Sequence, residues 1–488
     1  MRNKWCLALT VWLTVAPWAF SQDFQGGGPH VGSTAQREGS IDKFTKNLSR
    51  GGFNWAEGSL AQLDPAQLCC EGKLPWGMYF NKVTPYIGVK LPPIQAPLPV
   101  FQLRPDEAVV VIGVTPPEAK YFSYQLYLGE RVYPGSTEGF FAPHKLLLAS
   151  VGDAVNQRTI KTLGRDPFNR EVVFIFSPDM GTEARVRAAL LSAGYPDAII
   201  NTVVVPGNML NLGLDLKAND MLLIIHRMAK FTDDSAGQEY VNAFTGNNPP
   251  LRAFRITPRT NGTLRPFRTA PLRIRGTGRT EMDLTASLDQ LRQAILTSYK
   301  GYKATEYVTQ PIAYDGFDYI QRAANALGDT RDALYLGAGG LPEFGLNDTV
   351  TLREDEFLIA YGPKHVATGK AIYTNINVYA SDPQLPVGSV FYDKFESSAD
   401  AYVPGADLLY VYKIKRHCNG EAFCMELGPP PYQSCTPLCD KWPDCPAFTL
   451  DDSTRLGVVW RAYLDPHTNI GAPFTEVLYD RLIKFSTQ

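Results

Sequence analysis

The sequence predicts a mixed α and β fold (α+β or mixed α/β), with two related or adjacent sheet-containing units and a β-rich C-terminal part. Several short apolar runs have the length of buried strands, and strict alternation of apolar and polar residues covers 372–379. Segments with a helical apolar period lie between these strands. With 488 residues, 44% of them apolar, the chain is long enough for more than one core.

Residues 1–21 have the pattern of a secretory signal peptide. Arg2 and Lys4 give a positive start, an apolar stretch covers 5–18, and a small-x-small cleavage site ends the segment. An alternative cut after Ala19 would resemble the start of a bipartite plastid leader. We therefore expect a secreted protein or one in the lumen of the secretory pathway, with a plastid as the alternative.

After the leader, we expect a flexible segment at 22–70, a mixed α/β domain at 71–279 and an α+β domain at 280–488. No later apolar run approaches the roughly 18–20 residues of a membrane span, so stable membrane insertion is not expected. The net charge of −2 provides no overall field for nucleic acid, which is therefore not an expected partner.

The clearest elements of the first domain are a strand, a helix and a second strand. The apolar runs are 172–176 and 199–205, and between them 182–193 has a helical period that ends at Gly194. This spacing is typical of a βαβ unit with a right-handed crossover. The glycine spacing of a dinucleotide-binding turn is absent.

Two further strands are predicted in this domain from the apolar runs 109–114 and 221–228. His226 lies inside the second run, and we interpret it as a core residue rather than a ligand. Tyrosines that could line a ligand cleft, or could simply reflect strand propensity, are Tyr121, Tyr124, Tyr127, Tyr373 and Tyr379.

The second domain begins with a helix after Thr280 and is otherwise richer in strands. The apolar face of this helix is Leu284, Leu288, Leu291 and Ile295. The remaining predicted elements are a helix at 315–326, strands at 333–336, 357–361, 372–379, 407–416 and 456–464, a flexible glycine turn at 337–340, and a helix or strand at 474–485.

The stretch 355–381 contains the best candidate for acid–base chemistry. His365 lies between two predicted strands with Lys364 and Lys370. Two neighbouring cations would lower the pKa of the imidazole, and a neutral imidazole could act as a base near pH 7. The alternative is an exposed hairpin tip with solvated lysines. A weak echo of this pattern, a strand, a Gly- and Pro-containing turn and a tyrosine-bearing strand, occurs at 109–127.

Residues 252–279 contain eight arginines and no acidic residue. A glycine turn follows at 276–278, directly before the helix that Thr280 would cap. Backbone N–H groups, the helix dipole and guanidinium groups together favour an anion, so the candidate ligand-binding residues are Arg273, Arg275, Arg279 and Thr280. The alternative is a solvated connector whose arginines pair with acidic residues elsewhere.

The cysteines indicate a disulfide-stapled loop at 417–446. Seven remain after loss of the leader: Cys69, Cys70, Cys418, Cys424, Cys435, Cys439 and Cys445. Because the five in the loop cannot all pair locally, we predict one bridge from the N-terminal pair to this cluster. A zinc site is the alternative, using His417, Cys418, Cys424, Cys435 and Cys439, although the usual short C-x2-C spacing is missing.

Three sequons, at Asn47, Asn261 and Asn347, are compatible with N-glycosylation in a lumen. No nucleophile elbow, close histidine pair or calcium loop occurs, so the sequence implies no metal and no cofactor. The blocks VVVIGVTPPEAKYFSYQLYLG, FLIAYGPKHVATGKAIYTNINVYAS and RAYLDPHTNIGAPFTEVLYDRLIKF resemble an uncharacterised group of secreted proteins. The resemblance covers most of 70–488 and implies no catalytic residue.

Two functional hypotheses remain open at this point. The first is an enzyme or accessory protein that acts on a small anionic metabolite in specialised metabolism. His365 and its lysines would supply acid–base or orienting groups, and the arginines before Thr280 would hold the anion. The second is a secreted binding or matrix protein without catalytic activity.

Overall fold

The structure is a computed structural model that describes residues 34–74, 76–81, 83–313, 315–428 and 450–487. The predicted leader at 1–21 and most of the predicted cysteine loop lie outside the described residues.

The described residues contain 23 strands and six α-helices in two halves. The strands of the N-terminal half are β1 (Phe53–Glu57), β2 (Ser59–Leu63), β3 (Tyr86–Lys90), β4 (Val100–Phe101), β5 (Ala108–Val114), β6 (Ala119–Val132), β7 (His144–Ser150), β8 (Val155–Asn156), β9 (Glu171–Ser177), β10 (Ile200–Val204), β11 (Met221–Phe231) and β12 (Leu251–Pro258). Those of the C-terminal half are β13 (Lys303–Tyr307), β14 (Gln310–Pro311), β15 (Ala333–Leu341), β16 (Leu346–Asn347), β17 (Phe357–Pro363), β18 (Tyr373–Ala380), β19 (Leu385–Phe391), β20 (Leu409–Lys415), β21 (Cys424–Glu426), β22 (Leu456–Tyr463) and β23 (Arg481–Ser486).

The α-helices are α1 (Thr34–Arg50), α2 (Pro65–Cys70), α3 (Met180–Ala193), α4 (Asp234–Asn242), α5 (Thr285–Ser298) and α6 (Gly316–Arg322). Single-turn 3-10 helices cover Asp197–Ile199, Ala243–Thr245, Met282–Leu284, Pro342–Phe344 and Tyr392–Lys394. None of the helices in the described ranges combines the length and apolar content needed to cross a membrane. The prediction of mixed α and β structure is confirmed.

The N-terminal half is a sandwich of two sheets. Its outer sheet has the order β1-β12-β5-β9-β10, and its inner sheet has the order β2-β3-β11-β6-β7, with β4 on β11 and β8 on β6. Buried apolar side chains from both sheets form one core. The opposite face of the outer sheet is covered by α1 and α3, with Phe44 and Val186 packed on it.

The C-terminal half is a second sandwich. Its outer sheet has the order β13-β23-β17-β20-β21, and its inner sheet has the order β14-β15-β22-β18-β19, with β16 on β15. Leu288, Leu291 and Ile295 of α5 cover the outer sheet. The two inner sheets pack face to face, as the Tyr121 and Tyr463 rings with centroids 4.7 Å apart illustrate.

The two halves have the same strand order, sheet by sheet. β5 and β17 occupy the centre of their outer sheets, and β11 and β22 the centre of their inner sheets. Each outer sheet ends in a parallel pair, β9 with β10 and β20 with β21. Each half therefore has three layers, which are helices, an outer sheet and an inner sheet. The two inner sheets meet in the middle of the molecule.

Sequence identities occur at equivalent positions of the two halves. Leu-Arg-x-Asp-Glu precedes β5 at 103–107 and β17 at 352–356. In both copies the glutamate accepts a hydrogen bond of 2.9 Å from the backbone N–H of the arginine. The pattern Ala-x-Tyr-x-x-x-x-x-Tyr occurs at 119–127 in β6 and at 371–379 beside and in β18. The echo between 109–127 and 357–379 thus corresponds to equivalent strands.

Local sequence explains the βαβ unit well. Asp179 caps α3 by accepting from the backbone N–H of Thr182, and Gly194 ends the helix at a φ of 102°. The following strand pairs in parallel with β9, as a crossover connection requires. His226 is buried in β11 and stacks on the Tyr124 ring, and burial lowers its pKa to about 3, which agrees with a core histidine.

The structure differs from the sequence-based prediction in three segments. The segment expected to be flexible contains α1, β1, β2 and α2 over its described part, because apolar residues such as Leu48 are buried against the outer sheet. Residues 337–340 belong to β15 rather than to a flexible turn. The missing side chains of Gly337, Gly339 and Gly340 let neighbouring segments approach closely: a Cβ at Gly337 would lie 2.5 Å from Ile312. Of the last predicted element, 474–485, only the part from 481 onward is a strand, and that strand continues to Ser486.

A disulfide links Cys418 and Cys424. This bridge removes both sulfurs from the alternative zinc site. Cys70 is also disulfide-bonded. The remaining loop partners for the predicted bridge from the N-terminal cysteine pair are Cys435, Cys439 and Cys445. These three lie outside the described residues, so the bridge stays a prediction.

Candidate functional site

His365 lies in the turn between β17 and β18, and the side chains of Lys364, His365 and Lys370 in this turn are buried. Its Nδ1 is 2.9 Å from Glu281 Oε1, and its Nε2 is 3.2 Å from Asp480 Oδ2. Both carboxylates come from distant parts of the chain. The imidazole is therefore held between two acids, and the turn is neither the exposed hairpin tip nor the cation-dominated environment that the sequence suggested.

The pKa of His365 is raised well above its ordinary value. Burial alone would lower the pKa, but the charges of Glu281 and Asp480 raise it by more. This direction is opposite to the expected one. A doubly hydrogen-bonded imidazolium has no free lone pair with which to accept a proton, so the geometry does not favour His365 as a base near pH 7.

The two lysines of this turn are buried and paired as well. Lys364 Nζ is 3.2 Å from Glu396, and Lys370 Nζ is 2.6 Å from Glu476. Asp480 also accepts a 2.6 Å hydrogen bond from the Tyr410 hydroxyl, which in turn accepts from the Trp460 indole N–H at 2.7 Å. The network has the character of an internal scaffold that joins the turn to β20, β22 and the C-terminal segment.

The glycine turn before α5 does hold an anion, but the anion belongs to the chain itself. Gly276 and Gly278 have φ values of 95° and 78°, and the N–H groups of Thr277 and Gly278 donate to Glu476 Oε1 at 2.7 and 2.6 Å. Such an arrangement is a backbone anion site. Here Glu476 occupies it and connects the turn to Lys370.

The predicted ligand-binding residues lie around this turn without converging on one point. Arg273 donates to Ala154 O at 3.1 Å and lines a cavity of about 190 Å³ with Asp153. Arg275 is 3.4 Å from Asp315, and burial lowers its pKa. Arg279 is exposed. Thr280 Oγ1 accepts from the N–H of Met282, at the start of the 3-10 turn before α5.

A separate cavity of about 90 Å³ lies between the two inner sheets. Its walls carry many aromatic rings and two arginines, one from each half. The polar and aromatic lining residues that matter most are Tyr79, Tyr86, Tyr127, Arg227, Asp329, Tyr335, Arg461 and Tyr463. We call this space the central cavity.

Arg227 lies in β11 and is 2% exposed. Its Nη2 donates to the Tyr127 hydroxyl and, at 3.0 Å, to the carbonyl oxygen of Gly328 in the other half. Its guanidinium carbon lies 5.4 Å from the centroid of the Tyr86 ring. Its Nε is buried and has no hydrogen-bond partner among the residues that the structure describes.

Arg461 lies in β22, at the position equivalent to Arg227. Its Nη2 donates to the carbonyl oxygen of Tyr79 at 2.8 Å, again in the other half. Its guanidinium carbon lies 5.7 Å from the Tyr335 centroid and 5.5 Å from that of Tyr379. Its Nη1 is buried, and no described residue forms a hydrogen bond with it.

Neither guanidinium forms an ion pair with a carboxylate within the described part of the chain. Arginine stays protonated at any physiological pH, so both cations are present in the cavity wall. An uncompensated buried charge is costly, on the order of several kcal/mol. The cation–π contacts with tyrosine offset about 0.5–2 kcal/mol of this cost. Two such cations beside one cavity therefore favour a bound anion.

Asp329 is an acidic residue in the wall of the central cavity, and its charge interacts with that of Arg227. Both of its oxygens accept hydrogen bonds from Ser150, at 2.7 Å from the backbone N–H and 2.6 Å from the hydroxyl. Burial raises its pKa to about 6, and the charge of Arg227 opposes that rise. Burial also raises the pKa of Tyr335 to about 12, so this phenol is neutral at physiological pH.

Sequence reasoning did not identify the two arginines because each lies inside an apolar strand rather than in a charged segment. The internal repeat was the signal that could have found them. Tyr-x-Gly occurs at 86–88 and 335–337, and each tyrosine pairs in register with one of the two arginines. Aligning the halves on this pattern places the arginines at equivalent positions.

No family model matches this chain, and no curated protein matches it. Among solved structures, a Vibrio parahaemolyticus protein solved as a structural-genomics target is 11% identical, with 93% of this chain and 98% of that chain covered and a TM-score of 0.38. The partial N-terminal region of an enterococcal surface protein is 10% identical, with 87% and 85% covered and a TM-score of 0.15. At these TM-scores neither likeness carries an argument.

Proposed function

We propose that this protein binds a small anionic molecule in the central cavity. The observation that supports the proposal is the pair of buried arginines, each with an unpartnered N–H and neither with a carboxylate partner in the described residues. A concave, mostly apolar site with a few convergent polar groups is the usual form of a small-molecule site.

Binding is better supported than catalysis. The acid–base candidates of the sequence, His365, Lys364 and Lys370, are all engaged in ion pairs. The central cavity offers cations and neutral phenols, which can hold and orient an anion. We therefore favour a binding or accessory protein for a small anionic metabolite, with an enzyme as the less supported form of the same hypothesis.

An oxidising compartment is part of the proposal. The Cys418–Cys424 disulfide agrees with an exported protein, since such bridges are rare in reducing compartments. Asn261 and Asn347 are exposed, as sequon asparagines must be for glycosylation, whereas Asn47 lies within α1 and its side chain donates to Ala189 O. We propose secretion or residence in a secretory lumen, with glycosylation at the two exposed sequons.

The binding proposal is tested by thermal unfolding of the purified protein at constant ionic strength. Millimolar acetate, malonate, succinate, sulfate or phosphate is exchanged against chloride. An anion at a hundred times its Kd should stabilise the fold by about 2.7 kcal/mol and raise Tm accordingly. Arg227→Met and Arg461→Met should lose most of this shift, because each removes one cation from the cavity wall.

The matched control is Arg292→Met, which removes an arginine from an exposed pair with Glu306. This variant should keep the full anion-dependent shift. If no anion raises Tm, or if the cavity variants respond like the control, the proposal is wrong. The cavity variants should fold, since an apolar side chain of similar size in place of a buried unpaired charge is neutral or stabilising.

A further inference from the structure

The two arginines are related by the approximate twofold symmetry of the halves. Arg227 pairs in register with Tyr86, and Arg461 pairs in register with Tyr335. The number of residues between the arginine and its tyrosine along the chain differs between the two halves. The two arginines nevertheless have the same position in their inner sheets. The equivalence therefore comes from backbone pairing and does not depend on a sequence alignment.

The hydrogen bonds of the two arginines are exchanged between the halves. Arg227 donates to Gly328 O and Arg461 donates to Tyr79 O. Each acceptor lies seven residues before the tyrosine that pairs in register with an arginine, Tyr335 in one half and Tyr86 in the other. The same contact is thus made twice, in opposite directions, across the central cavity.

The backbone at the two acceptors is also alike. Tyr79 and the residue before it, Met78, have φ values of 47° and 58°, and the pair Leu327 and Gly328 has values of 53° and 73°. Two successive left-handed residues are uncommon. All four residues line the central cavity, so its walls repeat in backbone shape as well as in charge.

We propose that the ligand of the central cavity is a short dicarboxylate whose two carboxylates are bound one by Arg227 and one by Arg461. This inference rests on the proposed function and narrows it. Equivalent cations on the two walls match a ligand with an anionic group at each end, since each guanidinium binds a planar carboxylate well. A monoanion would leave one guanidinium without a bound carboxylate.

The size of the cavity limits the ligand to a short chain. At about 90 Å³ the central cavity is small, and an aromatic dicarboxylate has many more atoms to accommodate than one with a short chain. We therefore expect a dicarboxylate of roughly two to four carbons rather than an aromatic acid. The surrounding tyrosine rings would contact its methylene groups and exclude water.

The test is calorimetric titration of the full protein with malonate and with malonamate, in which a neutral carboxamide of nearly the same shape replaces one carboxylate. We expect malonate to bind at least tenfold more tightly. Arg227→Met and Arg461→Met should each lower the affinity for malonate to about that for malonamate, whereas Arg292→Met should leave the preference for malonate unchanged.

The outcomes separate this inference from the proposed function. If malonate and malonamate bind equally well and the cavity variants weaken both, the protein binds small anions but the proposal of a dicarboxylate ligand is wrong. If sulfate or phosphate binds and malonate does not, an inorganic anion replaces the dicarboxylate. If none of these probes binds, the proposed function itself fails.

Discussion

His365 illustrates how a buried ion cluster can resemble an acid–base site in the sequence. Its neighbours along the chain are lysines, but its neighbours in space are Glu281 and Asp480. The lysines point to carboxylates of their own. Sequence proximity therefore gave the wrong direction for the pKa, because the charges that control a buried group come from segments that only the fold brings together.

Replacing His365 by Gln should destabilise the protein in a pH-dependent manner. The folded-state pKa is raised, so the histidine contributes its full stability below the unfolded pKa of about 6.5 and loses it as pH rises through the folded pKa. His365→Gln leaves two buried carboxylates without their cation, which should cost about 3–5 kcal/mol near pH 6. Urea unfolding at pH 6 and pH 9.5 measures the difference.

The matched control for this experiment is His467→Gln at an exposed position, which should change stability by less than about 0.5 kcal/mol. A loss for His365→Gln that stays the same at both pH values would mean that the imidazole is neutral in the fold.

The sequence suggested a site at His365 where the fold has an internal ion cluster, whereas it gave no indication of the arginines that line the central cavity. Arg227 lies within the apolar run 221–228 and Arg461 within the apolar strand 456–463, and each is the only arginine or lysine in that stretch. Charge density directs attention to 252–279, where the fold instead pairs several arginines with acids, such as Arg252 with Glu38 and Glu57. A single buried arginine indicates an anion site only once the fold shows that no described carboxylate pairs with it.

At the scale of the elements, local signals predicted those that depend on local chemistry. The helix at 180–193 has its cap and its terminal glycine in the sequence, and the apolar runs at 172–176 and 221–228 are strands. Glycines at 337–340 were misleading because glycine favours turns by its freedom and strands by its small size. Only the proximity of neighbouring strands decides between the two.

The left-handed pair at Leu327 and Gly328 provides a test of the exchanged hydrogen bonds. Gly328→Ala would meet no atom within 4 Å, so its cost comes from a φ of 73°. We expect a loss of about 1 kcal/mol in the free energy of unfolding. The added strain at the acceptor of Arg227 should also weaken the anion-dependent Tm shift.

Gly152→Ala is the control, since a Cβ there also meets nothing within 4 Å and the backbone does not have a positive φ. It should be neutral or slightly stabilising. Equal effects of the two substitutions would argue against strain at Gly328.

At the scale of the whole molecule, the contact between the halves contains buried acids. Asp329 hydrogen-bonds to Ser150, and Asp332 accepts from Tyr121 at 3.0 Å and from Asn156 at 2.9 Å, so both join one half to the other. Burial raises the pKa of each to about 6. The charges that act on them are those of Arg227 and Asp315 at Asp329, and of Arg273 and Asp153 at Asp332.

Because both folded pKa values lie above the unfolded value, the folded state binds more protons between about pH 4 and pH 6. These two groups should therefore reduce stability as pH rises through this window. The double variant Asp329→Asn, Asp332→Asn keeps the shape and removes the charges. Its stability relative to the wild type should increase by a few kcal/mol from pH 4 to pH 7, measured by chemical unfolding.

A relative stability that does not change with pH would mean that neither carboxyl is shifted. As a control, Asp451→Asn removes an exposed carboxylate in the C-terminal half, outside the contact between the halves, and should show no such gain.

The division of the chain into two alike halves was visible in the sequence only as a short echo. The identities that extend it, such as Leu-Arg-x-Asp-Glu before β5 and β17, are separated by about 250 residues and interrupted by unequal loops. What the sequence could not supply is that the inner sheets face each other, because this depends on which face of each sandwich is covered by helices.

The crossing of the arginine hydrogen bonds has a consequence for how such a chain can change over time. Each half supplies the guanidinium for the other half's carbonyl, at Gly328 and Tyr79. A change in the loop of one half would alter the hydrogen bond of the other half's arginine. We therefore expect substitutions in the two halves to be coupled during evolution. Neither copy could be transplanted alone into another protein and keep its half of the pocket.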